Sequence, residues 1–340
     1  MWGGQTRLAW IDFGKGFTIF LVVIAHALSG IYDNNVYSLG VENNIRIIGE
    51  SLYLFIMPVF FSLSGYLFKK PDDFKRYYLV IKKKAFNLLV PYVVFSIIYI
   101  LMNQVGGKDN IYTWRSLLNI YRTPISYLWF LYTLFLIFVL VGFLSLFRIS
   151  IETQLFLYLI LFLIIKITRS NLYILTTFGW AIFFCLGVVF KKNIKLIKNK
   201  YTLCGSLILT LLLICMMFIN LGLNHELYNN VSIINIIPKI ISDIFMFSLF
   251  LNLRESTKFF KYFEKYGRYS LIVYMVHAPV MSASRAIILK LIFPNMYILA
   301  IIVMLIGWYA SLATIYLSNH FKTINFIFNA YNGIINLKNK

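Results

Sequence analysis

The chain has 340 residues, of which 60% are apolar and 13% charged, and it carries a formal net charge of +20 at pH 7. Soluble domains lie near roughly half apolar and a quarter charged, so two soluble domains are excluded and a bilayer is needed to cover so much apolar surface. The basic excess sits in short connections beside the ends of apolar runs, where cytoplasmic loops collect Lys and Arg, and this placement argues against nucleic acid as a partner.

A membrane-crossing helix needs about 20 mostly apolar residues. In chain order this predicts an all-α polytopic protein of about ten transmembrane helices, at residues 11–31, 47–68, 85–103, 128–147, 153–168, 172–190, 201–221, 232–253, 269–291 and 296–318. The first has Arg7 and Lys15 ahead of an apolar stretch and a small-x-small Ala25-His26-Ala27, the outline of a signal peptide. Its polar residues, described below, favour a retained helix. The connection over 104–127 holds Tyr112, Trp114 and Tyr121; it reads as a segment at headgroup depth, where aromatic rings collect, or as a plain loop. The fifth and sixth spans meet at Lys166 and Arg169. Cys185, Cys204 and Cys215 fall inside apolar runs without metal-ligand spacing and read as small core residues; no metal site is expected.

The connections alternate in charge. Lys and Arg number 22 on the side that holds both termini and 7 on the other, which predicts a multi-pass plasma-membrane protein with both termini cytoplasmic. No internal repeat, low-complexity tract or soluble domain interrupts the pattern.

Charged groups inside a bilayer are costly and each one invites a function. The first span carries Asp12, Lys15 and His26. At 100° per residue, Lys15 and His26 share a helix face, about 16 Å apart along the axis. Asp12 lies within one turn of Lys15. Such a helix suits a reaction reached from two sides, or else Asp12 and Lys15 form an interfacial ion pair and His26 bonds a neighbouring helix. Glu50 enters the second span at a similar depth to His26 and could orient an imidazole. Arg285 lies in the outer third of the ninth span, with His277 in its inner half. Lys239 and Asp243, four apart in the eighth span, are expected to neutralise one another.

These residues carry a family likeness. Trp10-Ile11-Asp12-Phe13-Gly14-Lys15-Gly16, followed by ten residues from Lys15 to His26, resembles the opening helix of the acyltransferase-3 family of integral membrane proteins. Pro58 to Leu67 (PVFFSLSGYL) is similar to its second-helix pattern and Tyr127-Leu128-Trp129-Phe130-Leu131 to its fourth. Gly267-Arg268-Tyr269-Ser270-Leu271, continuing to Tyr274 and His277, resembles a later one. The resemblance implies ten spans, acetyl-CoA or another acyl-CoA as donor substrate with no bound cofactor, and a cell-surface polysaccharide or lipid-linked saccharide as acceptor. It also implies that the first helix is retained. There are two departures. Many members carry Arg-x-x-Arg before a Leu-Leu-x-Pro stretch, where this chain has Lys84 and Asn87 before Leu88-Leu89-Val90-Pro91, with Lys82 and Lys83 alongside. Relatives acting on deoxysugars show Phe-His-Met-Pro, where this chain has Phe55-Ile56-Met57-Pro58.

A sugar hydroxyl is a poor nucleophile at neutral pH, and His26 has the intrinsic pKa of a base that could remove its proton. His26 could equally take the acyl group itself and relay it. Asp12 and Lys15 would organise the donor end, and Lys83 and Lys84 would meet its phosphates, although a basic cytoplasmic loop needs no such role. Glu50, Arg285, Trp129 and His277 are the candidates for orienting groups or for the acceptor side. The rival reading is a carrier or flippase for an amino acid or envelope precursor, using the same polar stripe as a path.

Overall fold

The protein is described by a computed structural model covering residues 8–32, 37, 39–105, 112–169, 172–221, 229–292 and 295–338. Arg7, Lys108 and Lys340, which enter the tally of basic residues, lie outside the described residues. All regular structure among the described residues is helical, as lipid demands of a backbone that must satisfy its own hydrogen bonds. In order the helices are α1 (Ala9–Tyr32), α2 (Leu39–Tyr53), α3 (Ile56–Tyr66), α4 (Phe74–Val105), α5 (Trp114–Leu118), α6 (Trp129–Leu146), α7 (Ile151–Ile167), α8 (Tyr173–Lys192), α9 (Ile194–Ile197), α10 (Lys200–Leu221), α11 (Ile236–Asn252), α12 (Lys258–Gly267), α13 (Ser270–Leu291), α14 (Met296–His320), α15 (Lys322–Phe328) and α16 (Ala330–Lys338).

Among the described residues eight stretches are long and apolar enough to cross a membrane: Ala9–Tyr32, Glu42–Tyr66, Phe74–Gln104, Ser126–Leu146, Tyr173–Lys192, Lys200–Ile219, Ser270–Leu291 and Met296–His320. The other two expected spans, 153–168 and 232–253, appear as α7 and α11, of 17 residues each. Such a helix rises about 26 Å, at the lower end of what a hydrocarbon core of about 30 Å takes, so among the described residues eight stretches reach span length and two shorter helices stand where the other two spans are expected. Isoleucines, leucines and Phe156 point outward from α7, as Leu209, Leu212, Met216 and Ile219 do from α10; these are faces for lipid. Cys204 and Cys215 are exposed on α10, which corrects their reading as core residues, while Cys185 is buried.

By internal contact the chain divides into two compact units, Met1–Leu67 with Leu186–Ser270, and Phe68–Cys185 with Leu271–Lys340. In the first, α1 is packed by α2, α3, α11 and α12. The stretch 254–268, expected as a basic loop, instead forms α12. Thr257 caps its N-terminus by accepting from the Phe260 N–H. Phe260, Phe263 and Gly267 fall on one buried face, while Lys258, Lys261 and Lys265 are exposed. The helix lies against α1 at two glycines. A Cβ on Gly267 would sit 1.7 Å from the Asp12 carbonyl oxygen, and one on Gly16 would sit 2.0 Å from that of Phe263. Phe13 stacks on Phe260 with ring centroids 4.5 Å apart.

The second span is discontinuous. Residues 54 and 55 form a turn between α2 and α3, because Pro58 has no N–H to give the Leu54 carbonyl one helical turn before it. α3 is held closely on another side: a Cβ on Gly187 would lie 1.9 Å from the Ser62 carbonyl oxygen.

In the second unit α4 is the long element. Its 32 residues reach about 48 Å, so the basic stretch before the expected span 85–103 is a helical extension. α6, α15 and α16 pack on it. The Tyr92 and Tyr132 rings stack at 5.8 Å, and Asn87 Oδ1 accepts from the Tyr331 N–H at 3.3 Å.

Candidate functional site

Asp12, Lys15, His26 and Glu50 belong to the first unit; Lys83, Lys84, Trp129, His277 and Arg285 belong to the second. α1 is one unbroken helix, so the separation of Lys15 and His26 stands as helical geometry sets it, at about 16 Å.

Near the N-terminus of α1, Asp12 lies in the first turn, where a carboxylate is favoured by the helix dipole. It is electrostatically coupled to Lys15, and its Oδ2 is 3.4 Å from Arg268 Nε. Arg268 also donates to Glu264 at 3.3 Å, and Glu264 accepts from Lys261 at 2.9 Å. The expected Asp12–Lys15 pair is therefore part of a larger network, and Arg268 is a member that sequence reasoning counted only as a loop charge. The available signal was its place in the Gly267-Arg268-Tyr269-Ser270-Leu271 fragment.

Toward the other end of α1, His26 is partly buried. Its Nδ1 lies 3.5 Å from the Tyr53 hydroxyl, with the rings edge to face at 6.0 Å. That hydroxyl donates to Ser29 Oγ at 3.2 Å. Arg46 stands over the Tyr32 ring at 5.3 Å. The expectation had Glu50 orienting the imidazole; the group found at Nδ1 is Tyr53, one helical turn further along α2. Glu50 is fully buried and its electrostatic partner is Lys239.

Lys239 and Asp243 do not neutralise one another as expected. Lys239 Nζ donates to the Tyr53 carbonyl oxygen at 3.0 Å, and Asp243 Oδ2 accepts from Ser62 Oγ. Both side chains are fully buried. Four residues apart on α11 they share a face, but beside the break between α2 and α3 the ammonium meets the Tyr53 carbonyl and the carboxylate meets the Ser62 hydroxyl. Ser242 Oγ adds a long contact of 3.5 Å to the Leu54 carbonyl.

The candidates of the second unit sit in aromatic surroundings. Trp129 lies against Trp180 at 5.2 Å. His277 is fully buried; its Nδ1–H donates to the Val273 carbonyl at 2.8 Å, and its ring meets that of Tyr127 at 5.7 Å. Tyr127 and Tyr274 tie the two matched fragments together, with the Tyr127 hydroxyl donating to the Met275 carbonyl at 2.8 Å and the Tyr274 hydroxyl donating to the Tyr127 carbonyl. Lys84 Nζ lies 3.9 Å from the centroid of Phe138, and Lys83 Nζ lies 5.9 Å from that of Tyr331. Arg285 is partly buried on α13, two turns beyond His277. Among the described residues no three of His, Cys, Asp or Glu gather as metal ligands would.

The Acyltransferase domain family matches residues 8–315. The chain belongs to that family. It is 25% identical over 236 residues to the nodulation protein NolL of Sinorhizobium fredii (strain NBRC 101917 / NGR234), covering 68% of this chain and 63% of the relative. It is 29% identical over 151 residues to the NolL of Mesorhizobium japonicum (strain LMG 29417 / CECT 9101 / MAFF 303099), covering 44% of this chain and 39% of that one. The chain thus spans less than two thirds of the length of each of these relatives. No solved structure matches. The family match takes in Asp12, Lys15, His26 and Glu50 as well as the fragments at 58–67, 127–131 and 267–277.

Proposed function

We propose that the protein is a membrane O-acyltransferase that moves an acetyl or similar acyl group from acyl-CoA to a hydroxyl of a surface polysaccharide or lipid-linked saccharide. The observation that carries this reading is α1 itself: within a member of the family, one continuous helix bears a charged network at Asp12, Lys15 and Arg268 and a histidine about 16 Å further on, by helical rise. In the proposed step the acceptor oxygen attacks the thioester carbonyl while His26 removes the hydroxyl proton. The carbon–sulfur bond then breaks, and the proton passes from the imidazolium to the departing CoA thiolate. If His26 acts first as nucleophile, the same balance is reached through an acyl-imidazole that the sugar oxygen opens.

The basic bias supports a cytoplasmic position for both termini and for the end of α1 that bears Asp12 and Lys15, with Arg268 beside it, which is the side from which a cytoplasmic acyl-CoA would come. Lys15 and Arg268 supply positive charge for the donor, and the exposed lysines of α12 extend that charge. In the second unit, taken by itself, Lys83 and Lys84, each beside an aromatic ring, give α4 a basic stretch that could meet phosphate. Acceptor access is then from the outer side, toward His26.

The break in the second span is a feature a carrier would also use, since carriers bind substrates and ions at exposed carbonyls of discontinuous helices. Here Lys239 and Ser242, side chains of the protein itself, occupy those carbonyls, which favours the enzyme. The test is incubation of the purified protein in vesicles with labelled acetyl-CoA and mixed glycans. Label in the glycan, with one CoA released per transfer, supports the proposal. Solute uptake without CoA consumption would replace it with the carrier.

A further inference from the structure

We propose that Tyr53 is a positioning residue for His26, and that Lys239 holds Tyr53 in place by closing the break between α2 and α3. The inference rests on the proposed acyl transfer at His26 and adds to it a part of the molecule that the reaction does not touch.

The backbone comes first. α2 ends at Tyr53 and α3 begins at Ile56, so the carbonyls at the end of α2 are without the regular helical ladder, and Pro58 cannot restore it. The position is sealed: Leu54 is fully buried and Tyr53 nearly so. A buried carbonyl must find a donor, and a serine or asparagine would serve. The chain instead places a lysine there, 0% exposed, with its ammonium 3.0 Å from the Tyr53 oxygen. A buried ammonium needs a counter-charge, and Glu50, one turn earlier on the same helix, is coupled to it. Lys239 therefore grips the end of α2 through the backbone at Tyr53 and through the carboxylate of Glu50. The next turn of α11 grips the start of α3, because Asp243 accepts from Ser62. Asp243 Oδ1 has no hydrogen-bond partner among the described residues, so this carboxylate is held through a single oxygen.

The side chain comes next. Tyr53 directs its hydroxyl hydrogen to Ser29 Oγ, which leaves the phenolic oxygen to accept from His26 Nδ1, now 3.5 Å away. An imidazole whose Nδ1 carries the hydrogen presents its lone pair at Nε2, the form a base requires. Catalytic hydrogen bonds are often long in a free enzyme and tighten with substrate bound. The charged groups on α2 and α11, which pack against this part of α1, are Glu42, Arg46 and Glu50 on α2 and Lys239 and Asp243 on α11; all but Glu42 and Arg46 belong to the break or its clamp.

A displacement of about 1 Å in a positioning group can cost about 100-fold in rate. The experiment measures kcat and donor KM for Tyr53→Phe, Lys239→Met and the double variant, in full-length protein with wild-type apparent Tm recorded alongside. Tyr53→Phe removes one oxygen and should lower kcat about 10-fold or more, with donor KM within about 2-fold and Tm unchanged. Lys239→Met should lower kcat comparably, and the double variant should be no worse than the poorer single, because both act along one path. Since Lys239→Met leaves buried carboxylates behind, Lys239→Met with Glu50→Gln is the companion that removes the counter-charge with the charge, and the same kcat loss is expected of it. Tyr53→Phe at wild-type kcat, in a protein that His26→Ala silences, overturns this inference and leaves the acyl-transfer reading standing. Losses that multiply in the double variant overturn the role of Lys239. A wild-type protein that transfers no acyl group removes the reading on which the inference rests.

Discussion

Gly267→Ala should separate α12 from α1. The added Cβ would lie 1.7 Å from the Asp12 carbonyl oxygen, 2.7 Å from its carbon and 2.8 Å from the Gly16 nitrogen. All three are backbone atoms of α1, so none can swing aside. Ordinary contact starts at 3.4 Å, and interiors this dense do not absorb the difference locally, so α12 must retreat by about 1.7 Å. Overpacking of this kind costs about 1–3 kcal/mol, and loosening the Phe13–Phe260 stack adds about 0.5–1.5 kcal/mol. A loss of about 3 kcal/mol corresponds to a fall in Tm of about 4 °C for a chain of this size. The assay is thermal unfolding of the purified protein in detergent, with Gly205→Ala as control, since nothing lies within 4 Å of a Cβ there and alanine is the better helix former. A Gly267→Ala protein that unfolds within about 1 °C of both the control and the wild type would refute the close approach of the two helices.

Other outcomes follow from the same geometry. Lys15→Ala should raise donor KM more than Lys15→Arg, because positive charge is what the proposal asks of this position; equal effects in a substrate titration would remove Lys15 from donor binding. Pro58→Ala returns an N–H to the Leu54 carbonyl and should draw α2 and α3 toward one helix, lowering kcat with little change in Tm; wild-type kinetics would show that the break is incidental. Acetyl-CoA confined to one face of oriented vesicles should support transfer from the cytoplasmic face alone, and equal transfer from the outer face would contradict access from two sides.

The helical class was legible because a bilayer allows few alternatives, and the apolar runs announce themselves. So was the shared face of Lys15 and His26, which needs only an unbroken helix. α12 was not. Its ten residues hold four charged side chains, which read as a loop, and its apolar face of Phe260, Phe263 and Gly267 becomes significant only against Gly16. The interruption of the second span was written in Pro58, yet a proline inside an apolar run is compatible with a kink, and no sequence feature says that Lys239 will donate to the Tyr53 carbonyl beside the break. Lys239 and Asp243 at i and i+4 look like a pair by local spacing alone; tertiary partners 181 and 186 residues away outcompete that spacing. Tyr53 is one of 24 tyrosines, and nothing local distinguishes it. Asn87 meets the backbone of α16, a contact visible only once the C-terminal helices fold back on α4.

The central claim is that His26 carries out the transfer. The direct measurement is the rate of labelled acyl transfer to glycan by His26→Ala, beside a thermal unfolding curve of the same sample. The account predicts a loss of about 10²–10⁴-fold, the usual contribution of a general base, in a protein that inserts and unfolds as the wild type does. Transfer within about 3-fold of wild type would contradict it, because no base or acyl carrier can be removed at so small an effect.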